Sequence, residues 1–254
     1  MADEVLVEQR DRILIITINR PAARNAIDAA VTAAVAAALD RLDGDSDLSI
    51  GILTGAGGTF CAGMDLKAFL RGEQVALPGR GLAGFTQKPP AKPLIAAVEG
   101  YALAGGFELV LACDLLVVAE DAKFGIPEVK RGLAAAGGGL LRLPQRIPPN
   151  LAMEYALTGD FFSAADAQRL GLANRVTPSG GALEGAIELA ERITVNAPLS
   201  IAVSKEIIVQ SADWTAEDMW RQQDQIIRPI FTSADAREGA SAFAEKRAPV
   251  WRGE

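Results

Sequence analysis

Residues 4–20 predict two strands around a turn. Val5 and Val7 fall on one face, Arg10, Asp11 and Arg12 turn the chain, and Ile13–Ile18 returns as an almost wholly apolar strand. Arg20-Pro21 ends that pattern, and an alanine-rich helix is expected over 27–42, stopped by Asp43, Gly44 and Asp45. Ser49–Thr54 predicts a short buried strand that runs into the Gly55–Gly58 loop, and Asp65–Arg71 a short helix. The same strand–loop–helix order returns with Pro93–Val98, a turn through Gly100–Gly106, and a helix from Phe107. Asp114–Val118 predicts a third buried strand, after which Phe124–Pro127 enters a loop. Residues 72–90 carry Gly72, Pro78, Gly79, Gly81 and Gly84 with no period, the pattern of a mobile loop lying over a site.

Beyond about Gly138 strands nearly vanish. Helices are expected at 138–146, 150–157, 163–170, 181–195, 199–211, 215–230 and 233–246, with Asn174–Thr177 the exception. The front half therefore reads as α/β and the rear as helical, in one body with a helical C-terminal extension.

Composition narrows the chemistry more than the class. The 254 residues, half of them hydrophobic and 22% charged, suit one large globular unit. A net charge of −7 without any Lys/Arg run argues against a nucleic-acid partner. The chain has no histidine, which removes Ser-His-Asp and Cys-His nucleophile systems, an imidazole base and histidine-ligated zinc. Cys61 and Cys113 are too few for a metal knot or a disulfide framework. Acid–base work then falls to Asp, Glu, Lys, Cys or Tyr in environments that shift their pKa values. No basic-plus-apolar leader precedes Val5, and no uncharged apolar run reaches the ~18 residues of a membrane span. A cytoplasmic protein with no membrane partner is expected.

Two glycine-rich motifs fail on inspection. Gly55, Gly57 and Gly58 suggest a dinucleotide fingerprint, but Phe60 stands where the third glycine belongs. Gly58 and Gly63 have P-loop spacing, but Met64 stands where lysine must be. The Gly137–Gly139 run reads only as a flexible turn or helix start.

Ala104–Glu108 is different. A glycine pair, Gly105-Gly106, at a helix start leaves backbone N–H groups unpaired and unobstructed, which suits a developing negative charge. Glu108 lies one turn further on, flanked by Leu109–Ala112, and loses hydration there, so its pKa should rise. Glu128 follows twenty residues later, after Ile126-Pro127. Either carboxylate alone is equally consistent with a structural ion pair, and nothing in the sequence makes them face each other. Thr59–Lys67 is a second strand-to-helix turn of small residues, and two such turns could aim two N–H donors at one oxygen. Cys61 within it suits a small buried filler better than a nucleophile, having no apparent base beside it.

Phe60–Lys67, Glu99–Leu109 and Lys123–Glu128, with Arg20–Ala26 and the tail Ala242–Arg247, together resemble the enoyl-CoA hydratase (crotonase) family. These landmarks keep family order from about residue 13 to residue 250. Leu140–Pro149 and the ending Ala242–Trp251 are most similar to its enoyl-CoA hydratase and carnitinyl-CoA dehydratase members.

The resemblance implies an α/β fold, the crotonase-type spiral of ββα units with a helical C-terminal trimerisation region. Residues 1–196 would form the core with the CoA and catalytic site, and residues 197–254 the part that oligomerises and closes the CoA site. It implies a reversible addition of water to a trans-2-enoyl-CoA, giving a 3-hydroxyacyl-CoA. Glu108 and Glu128 would be the two acids, and the N–H groups of Met64 and Gly105 the oxyanion donors. The acyl-CoA would lie against Arg24, Ala26, Ala62, Met64, Asp65, Leu66, Lys67, Gly105, Gly106, Phe243 and Lys246, with Arg24 near the phosphates. No metal and no separate cofactor is called for, because CoA is part of the substrate. A homotrimer or hexamer is expected, with Trp214, Met219, Trp220, Ile226, Ile227 and Phe231 as candidate contacts. The alternatives are a carnitinyl-CoA dehydratase or enoyl-CoA isomerase activity, or a non-catalytic acyl-CoA-binding protein. One departure stands out: Ala134–Ala136 occupy a stretch where the family often has proline, removing bulk beside the acyl site.

Overall fold

The computed structural model describes residues 3–254. Strands β1 (Val5–Arg10) and β2 (Ile13–Ile18) form the expected hairpin, and helix α1 (Ala29–Gly44) follows it. The Asp28 side chain caps α1 by accepting from Val31 N–H at 3.0 Å. Next come β3 (Ile50–Gly55), α2 (Leu66–Leu70), β4 (Ala76–Leu77), β5 (Gly81–Leu82), β6 (Leu94–Val98), β7 (Tyr101–Leu103) and α3 (Gly105–Ala112). The middle of the chain closes with β8 (Leu115–Ala119), β9 (Lys123–Gly125) and a 3-10 turn, Pro127–Arg131.

Six strands make the main sheet in the order β1-β2-β3-β6-β8-β11, where β11 is Arg175–Thr177. Only the β1–β2 pair is antiparallel. β2 is apolar but for Thr17 because both of its faces are covered. Ile13 and Ile15 join Ile50, Ile52 and Ile95 against helix α7 (Ala182–Thr194). Leu14, Ile16 and Ile18 turn the other way, into the main core with α1 and α3. A second, three-stranded sheet β10-β9-β7, with β10 at Phe162–Ser163, stands beside the first. Two successive passes through the molecule place one strand in each sheet and then a helical turn: β6-β7-α3, and β8-β9 with Pro127–Arg131. This is the ββα spiral that the resemblance implied.

Helices α4 (Gly139–Arg146), α5 (Pro149–Thr158) and α6 (Ala164–Arg169) follow around the spiral. From α8 (Pro198–Gln210) through α9 (Met219–Ile227) to α10 (Ala234–Glu245) the described chain is helical, with no strand. Lys205 on α8 ties this region back to the core: its Nζ lies 2.6 Å from Asp114 and donates to the Pro90 and Lys92 carbonyls.

Residues 72–90 are not the open, irregular loop their glycines suggested. β4 and β5 pair there, and Leu82, Ala83, Phe85 and Thr86 are buried. Gly79 at φ +69° makes the reversal between them, Gly81 and Gly84 at φ +79° and +71° bound the turn that follows, and their contacts show why no period was visible. The segment is held by individual hydrogen bonds, such as Leu82 N–H to Thr86 Oγ1 at 2.9 Å, and not by a repeating face.

Candidate active site

Two strand-to-helix turns lie side by side. Phe60–Ala62 pairs with β7: Cys61 N–H donates to Tyr101 O at 2.9 Å and Leu103 N–H to Cys61 O at 3.0 Å. The chains run parallel and reach their helices together, α2 after Met64 and α3 after Ala104. Glycine permits the approach. A Cβ on Gly106 would stand 2.2 Å from the Cys61 carbonyl oxygen, and one on Gly63 (φ +100°) 3.1 Å from Gly105 N. A Cβ on Gly105 would sit 3.4 Å from Met64 N. The N–H groups of Met64 and Gly105 are therefore neighbours, and neither has an acceptor among the described residues. Ala104, which caps α3, is held at φ +50°, ψ −129°, a region costly for a residue with a Cβ. Its amide is fixed by Gly125 O at 2.9 Å, so β9 helps hold that strain.

The two acids enter from different elements. Glu108, on α3, is 3% exposed and its Oε1 accepts from Gly139 N–H at 2.9 Å. Burial raises its pKa, while the Gly139 and Gly137 N–H groups and the Arg142 charge oppose the rise. Glu128, in the Pro127–Arg131 turn, has no such donors: its Oε2 is buried and unpartnered. Burial is the main cause that pushes its pKa up to about 7, opposed by its own backbone N–H and assisted by the nearby Glu108 charge. The structure thus brings Met64, Gly105, Glu108 and Glu128 to one place and gives the two carboxyls unlike surroundings.

Gly137–Gly139 is more than a flexible turn. A Cβ on Gly137 would stand 2.7 Å from Glu108 Oε2, so glycine there lets backbone close on the carboxylate. Arg142, one turn into α4, donates to Thr86 O at 2.6 Å and links this clasp to the β4–β5 segment. Leu82 of that segment reaches Gly105, where a Cβ would meet its Cδ2 at 2.7 Å. Arg142, Thr86 and Leu82 are not singled out by the sequence, and only the triple glycine offered a signal. Beyond Glu128 and Gly139 a cavity of about 380 Å³ opens between α4 and α5, walled by Ile126, Leu143, Pro144, Ala152 and Ala156.

The remaining expected residues divide. Arg24 and Lys67 are exposed and flank the Ala62–Met64 turn, with the Arg24 carbonyl accepting from Ala62 N–H at 3.0 Å. Ala26 supports the same rim, its carbonyl accepting from Arg20, and Leu66 is exposed on α2 beside Lys67. The Asp65 side chain is committed to structure: it caps α2 through Lys67 N–H and Ala68 N–H and pairs with Arg20 at 3.1 Å. Burial opposes its charge, but Ala68 N–H, Arg20 and Lys67 N–H outweigh it and hold the carboxyl below its usual range. Phe243 is 88% exposed on α10, and no hydrogen bond or ion pair among the described residues joins Lys246 to the Arg24–Lys67 rim. Cys61 is fully buried, and burial lifts its thiol to about 12, which leaves it no thiolate at neutral pH.

Comparison with known proteins gives the family. The family model described as enoyl-CoA hydratase/isomerase matches residues 8–254. The crystal structure of enoyl-CoA hydratase EchA1 from Mycobacterium marinum superposes with a TM-score of 0.98 at 65% identity, covering 99% of this chain and 100% of that one. Enoyl-CoA hydratase EchA19 of Mycobacterium tuberculosis is 44% identical over 97% of this chain and 95% of its own length. A carnitinyl-CoA dehydratase of Salmonella typhi is 43% identical over the whole of both. With a full-length match, a shared fold and paired glycine turns beside two carboxyls, the chain belongs to the enoyl-CoA hydratase/isomerase family.

Proposed function

We propose that the protein is an enoyl-CoA hydratase that adds water reversibly across a trans-2-enoyl-CoA to give a 3-hydroxyacyl-CoA. The observation that carries this reading is the pair of unlike carboxyls beside two free N–H donors. The thioester oxygen would sit between Met64 N–H and Gly105 N–H, which absorb its negative charge as the enolate forms. Glu108 accepts backbone N–H bonds that favour its carboxylate, so it takes the proton of the attacking water. Glu128, with an unpartnered oxygen and a pKa pushed up to about 7, keeps its proton in about half of the molecules at neutral pH and delivers it to the α-carbon. The reaction needs no metal or redox group, and CoA arrives with the substrate. An isomerase would need one carboxyl only, and a mere acyl-CoA binder neither.

The sign of the pH dependence follows. A raised folded pKa means Glu128 is protonated below about 7 and loses its proton above it. The kcat/KM for crotonyl-CoA hydration should therefore fall as pH rises through about 7, with an acid limb set by Glu108. A profile flat from pH 6 to 9, or no hydration at all, would remove the reading.

Binding an anionic CoA to a chain of net charge −7 needs local basic groups. Arg24, Lys67 and Lys246 suit this, since none of the three is in an ion pair among the described residues. Replacing all three with Gln should weaken CoA binding at low salt and flatten its salt dependence, measured by calorimetry at two ionic strengths. An unchanged slope would reject these contacts.

The same reading includes a homotrimer or hexamer. Exposed Ile208, Val209, Met219, Trp220 and Phe231 on the C-terminal helices support it, being more apolar surface than a lone subunit normally leaves in water. No helix among the described residues is long and apolar enough to cross a membrane, and a cytoplasmic enzyme of acyl-chain metabolism accords with that.

A further inference from the structure

The cavity beyond Glu128 is larger than a short enoyl group needs. Crotonyl carries a single methyl past its double bond, whereas the cavity measures about 380 Å³. An apolar cavity of ~150 Å³ is enough to hold benzene. Space for roughly two such groups therefore remains beside the reacting carbons.

Its walls are of one kind. Ile126, Leu143 and Ala152 are buried, Pro144 is half-buried, and Met153 and Leu157 stand exposed at the rim. None of the residues lining it is aromatic, and Glu128 is the one that carries a charge. Small side chains make the room: Ala134 and Ala135 on the loop, Ala152 and Ala156 on α5. A tail ending in a quaternary ammonium would find no aromatic face to stabilise it. The one carboxyl in its lining is Glu128, which the reaction uses as its proton carrier. Burying that cation without a partner would be costly.

We propose that this cavity seats the acyl tail and selects an uncharged apolar tail, of medium length or carrying a ring, over one bearing a quaternary ammonium. The inference rests on the hydratase reading above, which sets the double bond beside Glu128. Gly139 gives the continuity: its N–H holds Glu108, and the same residue lines the cavity. The tail thus leaves the reacting carbons directly into apolar space. Beside the 43% identity to a carnitinyl-CoA dehydratase, this cavity presents no aromatic face to such a charge.

The test compares substrates and then changes the wall. Hydration of crotonyl-, 2-octenoyl- and 2-decenoyl-CoA is measured beside dehydration of 3-hydroxyoctanoyl-CoA and carnitinyl-CoA. Each buried methylene should add about fourfold in affinity until the space is filled. The kcat/KM is expected to rise ~10-fold or more from crotonyl to octenoyl, with carnitinyl-CoA at least ~10-fold poorer than 3-hydroxyoctanoyl-CoA. Ala156→Leu, with Ala135→Leu as a milder second variant checked by circular dichroism, should cut the octenoyl-to-crotonyl ratio by ~10-fold. Equal kcat/KM at all lengths, or carnitinyl-CoA used as well as 3-hydroxyoctanoyl-CoA, overturns the proposal. An unchanged ratio together with loss of the oligomer in Ala156→Leu overturns it too and assigns the cavity to a subunit contact. Should no thioester be hydrated, the hydratase reading fails, and binding of saturated acyl-CoAs decides this one separately. Decanoyl-CoA binding more tightly than acetyl-CoA, and losing that advantage in Ala156→Leu, upholds it; equal binding defeats it.

Discussion

Glu108→Gln and Glu128→Gln should each slow the hydration of crotonyl-CoA by ~10²-fold or more, about 2.7 kcal/mol of barrier apiece. Gln keeps the size and an accepting oxygen, so Glu108→Gln can still take the Gly139 N–H bond while losing the basic oxygen. Glu128→Gln loses the transferable proton. The double variant should be much less impaired than the product of the two effects, because both residues act on one water and one enolate. Stability separates chemistry from folding. A carboxyl whose folded pKa is raised from 4.5 to about 7 contributes most below 4.5 and loses that contribution as pH climbs through 7. Glu128→Gln should therefore melt above the parent at pH 8, with the gap closing toward pH 5. If Glu128→Gln hydrates crotonyl-CoA at the parental rate while Glu108→Gln does not, the two-acid mechanism is wrong and a one-carboxyl mechanism on Glu108 replaces it.

The second large effect is expected at a residue with no side chain. In Gly63→Ala the new Cβ would stand 2.9 Å from the Ala104 Cβ, 3.0 Å from Leu103 O and 3.1 Å from Gly105 N. The Ala104 turn is already strained and fixed by β9, so Met64 and its N–H must give way. Loss of one such donor is worth ~10²–10³ in kcat. The left-handed backbone at φ +100° adds roughly 1–2 kcal/mol of instability. The check is kcat against KM with crotonyl-CoA, alongside the melting temperature. A variant that folds and keeps kcat within threefold would show that Met64 N–H does not hold the oxygen.

Much of this arrangement was legible beforehand, for physical reasons that differ by element. The parallel strands announced themselves because burial on both faces demands nearly continuous apolar runs, as in Ile13–Ile18. The glycine pair at 105–106 was readable because few other sequences let a helix start against a neighbouring carbonyl. By contrast β7 and β9, three residues each, are too short to show a period, and Gly100–Gly106 read as a turn alone. The helix expected over 215–230 begins at Met219 and ends at Ile227, since Arg228-Pro229 continues as a 3-10 turn. The Glu108 clasp was hidden because its donors are backbone groups of Gly137 and Gly139, about thirty residues away along the chain. A backbone donor leaves no side chain to read.

The two halves of the site are built with unequal permanence. The N–H pair is locked between two turns, where Gly63, Gly105 and Gly106 leave no room for a methyl group. Glu128 stands apart, on a short turn of its own, with one oxygen bonded to nothing. Losing it would break no hydrogen bond to another residue and would remove an unpartnered buried oxygen, whereas altering the glycine turns would dismantle the scaffold. Selection can therefore explore new reactions of a stabilised enolate by single substitutions at position 128 without first risking the fold. A lineage built on this chain would be expected to change its chemistry from the Glu128 side inward, with the thioester-gripping turns inherited intact.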